Sequence, residues 1–381
     1  MTDYPRWRQD DDEAFLAMPK ISLHDHLDGS LRPETIVELA TARGVWIPHT
    51  DPATLAGWFQ GTVTEPAIGH WDEMFGILTA VMQDQASIRR VAREFVLELA
   101  ADGVVYGEAR WAPEKHLAGG LSLDEAVLAV AAGLAEGEAA ARAEGSTIRV
   151  RQLLCAMRTS DRSLEIAELT VRHYGASVVG FDLAGEEAGY PASAHRAAFA
   201  LLDAHDIPYT IHSGELAGVE SLQDTLHTTA PQRIGHGIRI IEDVRLDDRP
   251  LAVATAAAQF AAAPRAKTTV GPTAARVRDR RVPLEVCVSS NSGGYILSGR
   301  ENHPMGLLHR LGFTVTVSPD NRLISATSVS AELRHITRLF GWTMADHREA
   351  QRAAARAAFL SEPDRRALLE TVIEPWFAER L

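Results

Sequence analysis

Cysteine is nearly missing from this chain: there are two in 381 residues, Cys155 and Cys287, each inside an apolar run. With no Cys-x-x-Cys anywhere, the pattern disfavours a thiolate zinc site, and both read as buried free thiols in a reducing compartment. Lysine is nearly as scarce, with only Lys20, Lys115 and Lys267. Positive charge is in deficit, 38 Lys and Arg against 51 Asp and Glu, for a formal net charge of −13. That balance argues against nucleic-acid backbones and anionic membranes as partners, without excluding a small neutral ligand. No apolar stretch approaches the roughly 20 residues of a membrane span. The beginning of the chain, with Arg6, Arg8 and then Asp10-Asp11-Asp12-Glu13, has no apolar signal region. A cytoplasmic protein is therefore expected. Aromatics make up only 6% of the residues, yet 46% are hydrophobic and alanine is abundant, which suits a helix-rich α/β protein with ample core.

What is present is alternation. Short apolar runs at 21–23, 104–111, 148–157, 178–182, 208–212, 233–237, 284–288 and 314–317 read as strands, with amphipathic stretches between most of them. One such stretch, 87–101, spaces Ile88, Val91, Phe95, Val96 and Leu99 helically and meets Gly103 just beyond. Another, 123–143, is entered through Ser122 with Glu125 three residues on, a capping-box pattern. The count and alternation predict a single (β/α)8 barrel domain over 1–381, with an open doubly wound sheet as the alternative. The barrel is preferred because polar residues sit at the ends of many strands. In a barrel those ends converge on one face; in an open sheet they spread along an edge. Two regions read as additions. Residues 45–84 hold Trp46, Trp58, Phe59, Trp71, Met74, Phe75 and Met82, either ordinary helix packing or an apolar lid. Residues 249–281, rich in alanine and arginine, read as an exposed insertion with room for disorder. Beyond Asn321 the chain reads as closing helices.

The chemistry is concentrated at four strand ends. His24 and His26, in Leu23-His24-Asp25-His26-Leu27-Asp28-Gly29, lie two residues apart on an extended segment and so face the same way. At a strand end they can close on one metal ion, although the pair alone does not distinguish a metal site from two unrelated histidines. Three further runs end in suitable residues: Thr210-Ile211-His212-Ser213-Gly214-Glu215, Ile234-Gly235-His236-Gly237, and Thr316-Val317-Ser318-Pro319-Asp320-Asn321. Singly, His212 or His236 could be a core histidine and Asp320 a turn residue. Together they supply the nitrogen and oxygen ligands of a catalytic zinc, an ion that lowers the pKa of water toward neutrality. Glu215 stands three residues beyond His212 as a proton donor or acceptor, and His236 is a second candidate for orienting the water. The end of the fourth strand, Phe181-Asp182-Leu183-Ala184-Gly185, lacks the lysine that commonly bridges two metals in barrel hydrolases, so one ion is expected. The His-x-Glu with Pro-Cys-x-x-Cys signature of cytidine-type zinc deaminases is absent.

These segments, taken as a set, resemble the adenosine deaminase family, especially its actinobacterial branch. The matching stretches are 19–33 (PKISLHDHLDGSLRP), 106–117 (YGEARWAPEKHL), 180–188 (GFDLAGEEA), 210–215, 233–239 (RIGHGIR) and 315–325 (VTVSPDNRLIS), in the family's order and across nearly the whole barrel. The resemblance implies one zinc per chain, held by His24, His26, His212 and Asp320. It implies that Glu215 protonates purine N1, that His236 orients or deprotonates the water, and that Asp320 shares in that proton transfer. It implies substrate contacts from His26, from Gly185 through its N–H to N3, from Asp28 to the ribose 5′-hydroxyl, and from Met157 against the base. Trp71 and Phe75 would belong to the lid.

The chain also departs from the family. Asn321 stands where a second aspartate is usual; its amide can donate to N7 at any pH, whereas an aspartate must first hold a proton. Ser213 replaces alanine, Ser318-Pro319 replaces Asn-Thr, and Val288-Ser289-Ser290-Asn291-Ser292-Gly293 differs from the usual seventh-strand segment. The expected reaction is hydrolysis of adenosine or 2′-deoxyadenosine to inosine or 2′-deoxyinosine and ammonia. Alternatives are deamination of adenine or of a 5′-modified adenosine, and nucleoside binding without turnover. The sequence is silent on oligomeric state.

Overall fold

The apolar runs become eight parallel strands of one sheet, hydrogen-bonded in chain order: β1 Lys20–His26, β2 Val104–Trp111, β3 Arg149–Met157, β4 Val178–Ala184, β5 Tyr209–Ser213, β6 Arg233–His236, β7 Leu284–Val286 and β8 Val315–Val317. The structure is a computed structural model that describes residues 9–62, 69–292 and 296–381. The sheet closes on itself by one bridge, Asp25 to Asp320, in which the N–H of His26 donates to the carbonyl of Asp320 (2.9 Å) and the N–H of Asp320 to the carbonyl of His24 (3.0 Å). The fold is the expected (β/α)8 barrel rather than an open sheet, and its final stitch runs through two of the segments singled out for chemistry.

Below that stitch the β1–β8 seam has no ladder of its own. Side chains replace it: Ser318 Oγ accepts from the N–H groups of Leu23 (3.2 Å) and His24 (3.1 Å), and Gln351 Oε1 accepts from Ile21 (2.9 Å). Gln351 sits on helix Met344–Ala357, which packs across β1 and β8. This satisfies backbone donors that would otherwise be buried without partners.

The helical stripes fold as their periodicity dictates. Helix Gln85–Ala101 starts two residues earlier than the stripe suggested, because Asp84 caps it by accepting from the N–H of Ser87. Helix Leu123–Ala143 carries both arms of the Ser122–Glu125 capping box. In the 45–84 region the apolar residues divide. Phe59, Met74 and Met82 are fully buried in the core, Trp58, Trp71 and Phe75 pack partly buried against it, and Trp46 is exposed. Helix Gly69–Ala80, which bears Trp71 and Phe75, lies on the turn Leu27–Gly29 just past β1.

The arginine-rich segment has more regular structure than its composition suggested. Val244–Leu246 pairs antiparallel with Arg249–Pro250 and with Thr268–Val270, and helices Ala256–Ala262 and Pro272–Asp279 follow from the same stretch. Leu251, Val253, Ala256, Ala274 and Val277 are buried, so only part of the segment is exposed. Alanine and valine at helical spacing supplied a buried face that the arginines masked. The seventh strand is also shorter than expected. After Cys287 the chain turns into the short helix Val288–Asn291, which swings Asn291 toward the site. No helix among the described residues is long and apolar enough to cross a membrane.

The barrel interior is charged. Arg110 of β2 bonds Asp182 of β4 (3.0 Å) and Glu285 of β7 (2.8 Å), and Arg233 of β6 joins Glu285 to Glu108 of β2. All five side chains are fully buried. Buried charge is tolerated only where each group is paired and hydrogen-bonded, and here every one has a partner of opposite sign. This layer supports the groups above it.

Candidate active site

Four imidazoles and a carboxylate meet at the C-terminal end of the barrel. His24 and His26 come from β1, His212 from β5, His236 from the end of β6, and Asp320 from the residues after β8. The ring of His24 lies 4.6 Å, centre to centre, from those of both His212 and His236, and 5.5 Å from that of His26. Asp320 Oδ1 is 3.5 Å from His24 Nε2 and 3.3 Å from His26 Nε2. Ligand atoms of His24, His26 and His212, and those of His24, His236 and Asp320, each fall within 4.8 Å of one another.

Two observations show that these residues fit a metal ion. His24 Nε2 and Asp320 Oδ1 are buried and have no hydrogen-bond partner, a costly arrangement unless a ligand satisfies them. The far nitrogens are also already fixed. His24 Nδ1 faces Glu285 Oε2 at 2.9 Å, and His212 Nδ1 faces Asp182 at 3.1 Å, which leaves each Nε2 turned toward the centre. Carboxylates behind ligand histidines set the tautomer and raise ligand basicity. Burial alone would raise the carboxyl of Glu285, but Arg110 and Arg233 outweigh it and hold it well below the ordinary range. Asp320 behaves likewise: burial pushes it up, and the surrounding histidines pull it well below.

His236 (φ 58°) and Asp320 (φ 65°) both adopt left-handed backbone, which bulky side chains rarely do. Such residues cost on the order of 1–3 kcal/mol each and cluster where a side chain must be aimed. Here the strain turns both side chains into the barrel mouth just as their strands end.

Glu215 sits beside this cluster. Its Oε1 is 3.5 Å from His236 Nε2 and 3.4 Å from the amide nitrogen of Asn291. Burial first, then the nearby charges of Asp320 and Glu187, pushes its carboxyl well above the ordinary value, which favours the protonated form.

The remaining expected residues line the surroundings. Asp28 Oδ2 accepts from the N–H of Ala112 (3.1 Å), while its Oδ1 is buried without a partner, 3.8 Å from His26 Nδ1. Met157 lies at the end of β3 against Ala112, Cys155 and Ala184, an apolar wall. Gly185, just past β4, has φ 98°, and a Cβ there would come within 3.0 Å of the Met157 methyl. Asn321 is buried with its Oδ1 unpartnered. It packs so closely on Gly29 that a Cβ at that glycine would lie 1.8 Å from the Asn321 oxygen. Trp71 and Phe75 stack, 6.0 Å apart and inclined 19°, on the helix over the Leu27–Gly29 turn.

Sequence reasoning missed the supporting residues. Glu187 accepts from four successive backbone N–H groups, those of Gly214, Glu215 (3.1 Å), Leu216 (2.8 Å) and Ala217 (3.0 Å), and so fixes the loop that carries Glu215. Ser290 donates to Asp320 Oδ2 at 2.6 Å, and Asn291 bonds His236. Asp182 and Glu285 had one available signal: each is a lone acid inside an apolar strand, where an unpaired charge would be prohibitive.

The model of the adenosine deaminase family matches residues 19–375. The chain belongs to the adenosine deaminase family. It is 44% identical over 362 residues to adenosine deaminase 1 of Streptomyces coelicolor, covering 95% of this chain and 87% of that protein. It is 41% identical to the adenosine deaminase of Mycobacterium marinum, covering 99% of each. Among solved structures, the Arabidopsis protein ADAL complexed with IMP superposes with a TM-score of 0.79 at 23% identity, over 97% of this chain and 100% of that one. A Burkholderia ambifaria amidohydrolase with bound Zn gives 0.78 at 21% identity, over 98% and 94%. At such identities the structural likeness speaks for the barrel fold.

Proposed function

We propose that this member of the adenosine deaminase family hydrolyses adenosine and 2′-deoxyadenosine to inosine and 2′-deoxyinosine with release of ammonia, as a single barrel domain acting in the cytoplasm with one zinc per chain. The observation that carries this reading is the meeting of His24, His26, His212 and Asp320 with Glu215, whose buried carboxyl is pushed well above the ordinary range, on one face of the barrel. Relatives that carry the name adenosine deaminase over nearly the full chain support the same substrate.

His24, His26, His212 and Asp320 would hold the ion. Bound there, zinc supplies Lewis-acid activation of the attacking water. The chain's own residues do the rest. Glu215 gives its proton to purine N1, which makes C6 more electrophilic. His236 orients the water or takes its proton, and Asp320 shares in that transfer. The partnerless Oδ1 of Asp28 accepts from the ribose 5′-hydroxyl, the N–H of Gly185 reaches N3, and Asn321 donates to N7. Met157 packs against the base, and Trp71 with Phe75 covers the mouth.

An absorbance screen of adenosine, 2′-deoxyadenosine, adenine and 5′-modified adenosines with zinc-loaded protein tests the proposal. The two nucleosides should be turned over with the highest kcat/KM. A clear preference for adenine would reassign the substrate, and binding of adenosine without turnover would remove the enzymatic reading.

A further inference from the structure

One chain of hydrogen bonds behind His236 can be oriented without ambiguity, because it begins at a backbone N–H. The N–H of Met305 points at His303 Nδ1, 3.0 Å away, and a backbone N–H can only donate. His303 Nδ1 is therefore bare, and the proton of this fully buried imidazole resides on Nε2. His303 Nε2 lies 3.2 Å from the side-chain oxygen of Asn291 and donates to it. That contact fixes which way the Asn291 amide points, so its nitrogen faces His236 Nδ1 at 3.0 Å and donates in turn. The second amide hydrogen is directed at Glu215 Oε1, 3.4 Å away.

We infer that His303 and Asn291 are positioning residues that lock His236 in the tautomer protonated at Nε2. In this state His236 Nδ1 is occupied by Asn291, and the nitrogen that faces Glu215 carries a hydrogen. A ring nitrogen that carries a hydrogen cannot ligate a metal. The relay therefore chooses between the two overlapping ligand groups, and His236 is excluded while His24, His26, His212 and Asp320 remain. It also chooses between the two roles open to His236: it orients by donating a hydrogen bond and does not act as the base. His303 lies in the stretch Glu301-Asn302-His303-Pro304, far in sequence from His236, and touches neither the ligand set nor the substrate walls described above.

The kinetic half of the inference rests on the deaminase reading; the tautomer does not. The test is a long-range 15N–1H spectrum of zinc-loaded protein labelled at the histidine ring nitrogens, with His236 assigned by its loss in His236→Gln. Wild-type protein should show His236 bare at Nδ1 and protonated at Nε2. His303→Leu frees the Asn291 amide to turn over, so it should populate the Nδ1-protonated form. It should also lower kcat by about ten- to a hundredfold, the scale of an oriented active-site donor, with KM changed less than about threefold. His303→Gln, which can still accept from Met305 and donate to Asn291, should restore both readouts. Asn291→Asp, isosteric but without the donor, should shift the proton to Nδ1 even where the His303 variants fold poorly. A wild-type spectrum with the proton on Nδ1 overturns the inference whatever the substrate proves to be. So does an unchanged tautomer in both His303→Leu and Asn291→Asp. A correct tautomer with no deamination of any aminopurine would instead count against the proposed function alone.

Discussion

Replacing Glu187 by glutamine should lower kcat and move the alkaline limb of the pH profile to lower pH. The carboxylate of Glu187 is almost completely buried and accepts from the N–H groups of Gly214, Glu215, Leu216 and Ala217. Glutamine has one oxygen and one NH2. With the oxygen kept on the three later donors, the NH2 confronts the N–H of Gly214. An unpaired buried donor costs about 1–3 kcal/mol, and the loss of charge assistance weakens each remaining bond by about 1 kcal/mol. If about 2 kcal/mol of this is lost in positioning Glu215, kcat drops about thirtyfold.

The pH effect has a definite sign. The negative charge of Glu187 is one of the influences that raise the Glu215 carboxyl, after burial and Asp320. Removing it lowers that pKa. The acid must be protonated to act, so its active form is lost at a lower pH than in wild type. The assay is the change in absorbance on deamination of adenosine, recorded as kcat against pH. Metal content and the thermal melt run alongside, because Gly214 is close in sequence to His212, one of the proposed ligands. An alkaline limb that stays in place or moves upward, with kcat within about twofold of wild type, would refute the reasoning.

Other outcomes follow from the same geometry. Glu215→Gln should reduce turnover by about 10²–10⁴-fold while the metal stays bound, since an amide cannot deliver the proton; metal loss on elemental analysis would make Glu215 a ligand instead. Asp182→Asn and Glu285→Gln should each weaken metal binding by about 10–100-fold in a chelator competition, because these carboxylates hold the Nδ1 sides of His212 and His24; unchanged affinity would confine them to packing. Substituting 7-deazaadenosine for adenosine should cost about ten- to a hundredfold in kcat/KM in wild type and almost nothing further in Asn321→Ala; equal rates on the two substrates with wild-type enzyme would remove Asn321 from N7 recognition.

Much of the molecule was determined by sequence alone, wherever the information is local. Apolar runs of strand length, separated by helical stripes and capping residues, marked all eight barrel strands, because side-chain periodicity reflects the burial of each element by itself. His24, His26, His212, Glu215, His236 and Asp320 were legible because each ends one of those runs, and a barrel gathers its strand ends on one face. Tertiary structure decided what depends on orientation. The 45–84 aromatics divide between core and surface, and the arginine-rich segment has a buried face; composition cannot say which way a side chain turns. Glu187 looked like one more loop acid until its carboxylate was seen to meet four backbone donors twenty-seven or more residues away. Asn291 and His303 come from a short helix and a turn, and they matter only because those elements converge behind His236. A hydrogen bond is directional and depends on tenths of an ångström. The residues that fix proton positions therefore become visible only once the chain has folded.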